Sequence, residues 1–200
     1  MILDAGAADG ADTIRFAKML PNASIYALEP VAVNYHILEQ QVSKYRNVKI
    51  FKMALADYNG ECEMNISENT NQPGSPATSS SLLAPQEHLK VHPHITFSKK
   101  EVVPTITLDE WAKKENIDHI DVLWLDMQGM EYRVLKSSTE MIHTVQVIYT
   151  EVSLMEMYEN SILYDDYKKW LNSMGFEVAK EELLWKDMGN VLFVRKNYVG

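Results

Sequence analysis

The chain is poor in the residues that mark several protein classes. Among its 200 residues Cys62 is the only cysteine, so no intramolecular disulfide can form and a zinc site built from several cysteines is excluded. Eight glycines and seven prolines are too few for a collagen-like or Pro/Gly-rich disordered chain. No apolar run approaches the roughly 18 residues needed to cross a bilayer. The start, MILDAGAADG, lacks the basic opening and apolar middle of a signal peptide. Basic residues are also scarce: 19 Lys and Arg face 28 Asp and Glu, a formal charge of −9 that repels nucleic-acid phosphates and anionic membranes. These absences predict a cytoplasmic protein that binds neither nucleic acid nor membrane. What is present, 46% hydrophobic residues, suffices for one core burying roughly 70% of the unfolded surface, hence a single domain over 1–200. Ile2 and Leu3 make a very short strand before the first glycine, as in a domain excised from a longer polypeptide or a compact form without leading helices.

Short runs rich in Val, Ile and Tyr alternate with stretches of helical spacing, the pattern of an α/β fold with a parallel sheet. Ile2–Asp4 reads as a strand, and Asp12–Leu20 as a helix with Ile14, Phe16, Ala17 and Leu20 on one face, stopped by Pro21. Ser24–Glu29, Val31–Lys44 and Val48–Met53 continue as strand, helix and strand. From Asp57 to about Lys100 the pattern loosens. Residues 67–100 read as a polar loop, either a lid or a plain connector, with Ser67–Ser81 rich in Ser, Pro and Gly. Asp109 is placed to cap a short helix, Glu110–Lys114. His119–Asp126, Glu131–Ser137, Val145–Val152 and Leu163–Met174 alternate again, and Gly175 stops the last helix. The closing pair, FEVAKEELLW and NVLFVRK, is joined too tightly for a crossover and reads as antiparallel. Trp124, inside a strand, is expected in the core.

In ILDAGAADG an acidic residue, Asp4, ends a strand, and Gly6, Ala8 and Gly10 form the turn into a helix, where a ligand can approach the backbone. The pattern is not G-x-G-x-x-G, so it suits a nucleoside better than a pyrophosphate. Glu29, followed by Pro30, ends the second strand; its carboxylate could accept both hydroxyls of a ribose, or serve as a solvated charge or cap. Ala54, Leu55 and Asp57 lie along the same crest, suited to an adenine, although Asp57 beside Asn59 and Gly60 also reads as a turn residue.

Taken in order, ILDAGAADG, ALEP, ALADYNG, TLDEW, WLDMQGME, TEV and GNVLFVR resemble the FkbM-type methyltransferases over nearly the whole chain. The resemblance implies a doubly wound, mostly parallel, seven-stranded Rossmann-like sheet with an antiparallel last strand. It implies bound S-adenosylmethionine at Asp4, Gly6, Gly10 and Glu29, with the adenine near Ala54 to Asp57. It also implies methylation of a hydroxyl on a small-molecule or glycan acceptor, with neighbouring glycosyltransferase domains as partners. The chain departs from the family in having Ala8 where many methyltransferases have glycine, in its short amino-terminal region, and in Gln128 where the family often has Glu.

Transfer of a methyl group to a hydroxyl of high pKa calls for a base or a metal. Asp126 ends the run VLWLD at the edge where open α/β sheets hold ligands, and is the expected base; capping the next helix is its plainer role. Glu131 and Glu151 are candidates to orient the acceptor. Asp126 and Glu151 could alternatively share a Mg²⁺ ion. His88, His92 and His94 read as solvated or acceptor-contacting rather than metal-binding, because Pro93 breaks the helical spacing. The aromatic stretch Tyr158 to Tyr167 could line an acceptor cleft, since sugars stack on aromatic faces, but reads mainly as a helix packing its own core. Two other readings are an NAD-dependent oxidoreductase, suggested by the Y-x-x-x-K spacing of Tyr132 and Lys136, and a non-catalytic nucleoside-binding module.

Overall fold

A computed structural model describes residues 1–196. Strand β1 (Ile2–Ala5), helix α1 (Ala11–Met19), β2 (Ile25–Leu28), α2 (Ala32–Val42) and β3 (Val48–Phe51) form the expected alternating unit. Then come β4 (Ala54–Leu55), β5 (Gly60–Asn69), the single turn α3 (His88–Val91) and β6 (Ile95–Ile106). Alternation resumes with α4 (Leu108–Glu115), β7 (Val122–Leu125), α5 (Glu131–Ser137), β8 (Val147–Ser153), α6 (Tyr164–Ser173), β9 (Phe176–Glu182) and β10 (Met188–Arg195).

Seven strands form one sheet in the order β3-β2-β1-β7-β8-β10-β9. The first five are mutually parallel, and β10 runs antiparallel to both its neighbours. Register places Ala5 beside Leu28 and Leu125, and Leu125 beside Thr150, so the carboxyl ends of β1, β2, β7 and β8 share one edge. One face of the sheet packs Leu3, Ala5, Leu125, Ile148 and Phe193 with Trp111, Leu135 and Tyr167 of α4, α5 and α6. Burying each such side chain contributes about 1.5–3 kcal/mol, which fixes the strand register. The other face meets α1 and α2 through Ile2, Ala17, Ala27 and Leu38.

Three expectations need correction. The segment 57–100 is largely not loop: β5 pairs with β6, and β6 with β4, in a second, three-stranded sheet, leaving residues 70–87 as the irregular part. Its strands escaped detection because much of β5 is exposed and its register shifts between Ile66 and Glu68, which blurs the two-residue period. Helix α4 is capped by Thr107, whose Oγ1 accepts from the Glu110 N–H. Asp109 instead accepts from Ser138 Oγ and the Thr139, Glu140 and Met141 N–H groups, tying α4 to the start of the next turn. Trp124 is half-buried, not core. It stacks on Tyr149 at 3.7 Å, and Arg15 lies 5.0 Å over its ring.

Candidate active site

A cleft opens where β1 and β7 part company with their following helices in opposite directions. Gly6, Ala8, Glu29, Pro30, Ala54 and Leu55 line one part, and Asp126, Met127 and Gln128 another. The turn after β1 is tightly specified. Gly6 has φ +88°, and a Cβ there would stand 1.8 Å from the carbonyl oxygen of Asp126, so glycine is required twice over. Gly10, at φ +86°, does not border the cleft. A Cβ on it would come 2.7 Å from Leu38 Cδ1, so its role is to let α1 approach α2. Ala8 takes a left-handed φ of 47°, which turns its N–H onto Glu29 Oε2 at 2.8 Å.

Glu29 is 3% exposed and gathers the turn. Its Oε1 accepts from Val31 N–H at 2.8 Å, and Asn34 Nδ2 stands 3.5 Å away. Burial pushes its carboxyl up to about 7, against the lowering pull of the Val31 and Ala8 hydrogen bonds. Asn34 also accepts the Ala77 N–H at 2.9 Å and so pins the polar loop over the cleft, where Ala77, Thr78, Ser80 and Leu82 complete the wall. Asp4 lies below the cleft, bound by Thr13 Oγ1 at 2.5 Å, and burial pushes it up to about 7. Asp57 is also outside the lining; its carboxylate takes a forked pair from Arg133 Nε and Nη2, joining the end of β4 to α5.

On the other side, Asp126 directly follows β7 and Glu151 lies on the neighbouring strand, β8. The amide of Gln128 lies between them, its Nε2 donating to Asp126 Oδ1 at 2.6 Å and Glu151 Oε2 at 2.9 Å. Its Oε1 accepts from the Tyr158 hydroxyl at 2.8 Å. Asp126 is surrounded by protein mass yet open to the cleft, and burial raises its carboxyl above the ordinary range. Burial and the neighbouring Asp126, Glu131 and Asp187 charges hold Glu151 well above that range. Glu131 does not face the cleft as an orienting group. Its two oxygens accept the Met127 and Gly129 N–H groups at 2.7 and 3.0 Å, fixing the loop that carries Gln128, and burial pushes it up to about 7.

Gln128 and Tyr158 were not identified from sequence as site residues. The only signal for Gln128 was its place in WLDMQGME, and Tyr158 reaches it from 30 residues away. The shared Mg²⁺ is not favoured by the donors present, because an amide nitrogen lies between the two carboxylates. Among the described residues no cluster of three or more His, Cys, Asp or Glu side chains is arranged to hold a metal. The histidines are not simply solvated. His88 is 2% exposed against Phe97 and Tyr158, burial lowers it to about 4, and His92 Nε2 meets Asp187 Oδ2 at 2.9 Å. Tyr132 and Lys136 pack on α5 against Trp170 and each other, away from the cleft, which removes the oxidoreductase reading. No helix among the described residues is long and apolar enough to cross a membrane.

Comparison with known proteins agrees with this fold. The chain is 29% identical over 162 residues to the 2-O-methyltransferase NoeI of Sinorhizobium fredii, covering 81% of this chain and 67% of that protein. Its fold is similar to that of Aeropyrum pernix fibrillarin, solved with natively bound S-adenosyl-L-methionine, at TM-score 0.55 and 14% identity, over 96% of this chain and 65% of that one. It is also similar to magnesium protoporphyrin IX methyltransferase from Synechocystis, solved with the same compound, at TM-score 0.51 and 13% identity, over 98% and 70%. The chain thus spans about two-thirds of the length of these proteins. Residues 4–178 match the methyltransferase FkbM domain, and the chain belongs to that family.

Proposed function

We propose that the protein is an S-adenosylmethionine-dependent O-methyltransferase acting on a sugar hydroxyl of a glycan or glycoconjugate. One observation carries this reading: a single cleft has a buried, strand-end carboxylate, Glu29, on one side and an open strand-end carboxylate, Asp126, on the other. Glu29 accepts two backbone N–H groups and keeps lone pairs for the two ribose hydroxyls of a nucleoside. Ala54 and Leu55 offer apolar contact to an adenine beside Met53. Pro30 narrows the same wall, and Gly6 leaves room for the ligand to lie against the backbone. When bound, the cofactor supplies an electrophilic methyl group on a sulfonium.

The chain's own part is to place the acceptor and take its proton. Asp126, facing the cleft, would take the proton that the acceptor hydroxyl gives up on methylation. Glu151, which does not line the cleft, accepts the other hydrogen of the Gln128 amide beside Asp126. O-methylation is supported by the name of the Sinorhizobium relative, and a hydroxyl-rich acceptor by the polar wall of Thr78, Ser80 and Gln128.

Calorimetric titration with S-adenosylmethionine, S-adenosylhomocysteine and NAD tests the reading. Micromolar binding of the first two and not of NAD is expected, followed by methyl transfer to glycan hydroxyls in an acceptor screen. Binding with no turnover on any hydroxylated acceptor would instead favour a nucleoside-binding module.

A further inference from the structure

Asp126 directly follows β7 and Glu151 lies on the neighbouring β8, and both accept from one nitrogen, Gln128 Nε2. An amide nitrogen has two hydrogens, and here each carboxylate takes one. The direction of the amide is set on every side. Tyr158 donates to Oε1 at 2.8 Å, and its hydroxyl is itself held near Ser79 O at 2.9 Å. The Gln128 backbone has a left-handed φ of 53°, a strained setting for a residue with a side chain. That setting is held by Ser81 Oγ donating to Gln128 O at 2.7 Å and by Glu131 on the two flanking N–H groups. Gln128 is 7% exposed, and both polar atoms of its amide are hydrogen-bonded.

We propose that Gln128 is the positioning residue of this centre: its amide nitrogen takes the place between Asp126 and Glu151 where a bridging divalent cation would sit, and it holds Asp126 toward the acceptor hydroxyl. The proposal rests on the methyltransferase reading for the identity of the acceptor, but not for the arrangement itself. A hard cation seeks about six oxygen ligands. Here it would find two carboxylates with a nitrogen donor between them. Glu131 is committed to two backbone N–H groups, and Asp4 to Thr13. The acidic groups facing the pair are Asp12 of α1, Glu131 of α5 and Asp187 before β10, and none of them closes a metal cluster. Recruiting the Gln128 carbonyl as a ligand would require the amide to turn over and give up both carboxylates.

The experiment uses the whole chain labelled with ¹³C at the aspartate side-chain carboxyls, and Mg²⁺ as the probe. In the wild type, millimolar Mg²⁺ is expected to leave the Asp126 signal in place. In Gln128→Glu, which puts a third carboxylate where the amide was, Mg²⁺ moves that signal and binds at least tenfold more tightly than to the wild type. In Gln128→Leu the Asp126 titration moves upward by at least half a pH unit, because the donor that favours the ionised form is gone; a merely structural glutamine would leave it unmoved. Should Gln128→Leu fail to fold, Tyr158→Phe keeps the amide but frees its direction, and the Asp126 signal is expected to shift in the same sense by less. A Mg²⁺-induced shift of Asp126 in the wild type, or an unmoved titration in these variants, overturns the proposal. S-adenosylhomocysteine affinity is measured on the same samples: failure of the wild type to bind it would sink the cofactor reading while the carboxyl signals still report on the centre.

Discussion

Gly6 and Asp126 meet backbone to backbone across β1 and β7, so closely that a Cβ on the glycine would stand 1.8 Å from the aspartate's carbonyl oxygen. The residue that turns the chain into the cleft and the residue expected to act as base are therefore placed by one contact.

Gly6→Ala must move β7 or the turn, and it also forces a side chain into φ +88°. A loss of about 2–4 kcal/mol is expected in urea unfolding, with loss of S-adenosylhomocysteine binding. Near-native stability and affinity would show that the strand edge can yield where this contact says it cannot.

Glu29→Ala and Asp126→Ala separate the two parts of the cleft. Two charge-assisted bonds to a ribose contribute about 1.5–3 kcal/mol each, so Glu29→Ala should lower cofactor affinity at least a hundredfold. Asp126→Ala should keep affinity within a few-fold and remove turnover. If calorimetry found the two variants equally impaired in binding, the division of the cleft would be wrong.

Burial pushes Asp4, Glu29 and Glu131 up to about 7, well above the carboxyls of an unfolded chain. The folded state therefore holds these protons more tightly. The stability they contribute is complete below about pH 4 and is lost as pH rises through about 7. The ligand-free protein should melt higher at pH 5.5 than at pH 8.0 at constant ionic strength. A melting temperature that rises with pH over this range would contradict the burial of these groups.

Glu131→Gln replaces one accepting oxygen with an NH₂ group that faces a backbone N–H. A cost of about 1–3 kcal/mol in unfolding is expected. Turnover should fall with it because the Gln128 loop loosens, while cofactor affinity stays near the wild type. Unchanged stability would mean that another group holds Met127 and Gly129.

The sequence revealed those parts of the molecule whose side chains follow one clean period. IYAL and VLWL, flanked by glycine or acidic turns, announced β2 and β7, and their carboxyl ends then located Glu29 and Asp126. β5 and β6 stayed hidden because GECEMNISEN and ITFSKKEVVPTI break the two-residue alternation with runs such as Ser98–Lys100 exposed in succession, and pack a small separate core through Met64 and Val103. Gly10 looked like a ligand contact because glycine permits close approach, but its spacing cannot say that the approaching group is Leu38. Gln128 depends on a left-handed backbone and on a tyrosine brought in by the segment before α6, neither of which leaves a local pattern.

The order of strands also bears on how the protein acquires its cleft. β1 pairs with β2 across a short span of chain, but its other neighbour, β7, begins at Val122. The cleft lies at that second junction, so its walls are complete only once the longest-range pairing in the sheet has closed. Such pairing is slow because loop entropy must be overcome before contacts compensate. A ligand that binds only the closed sheet stabilises the finished fold by an amount that grows with the logarithm of its concentration relative to Kd. Cofactor capture thus acts as a check on completed folding, read out at the one seam that joins the first strand to the second half of the chain.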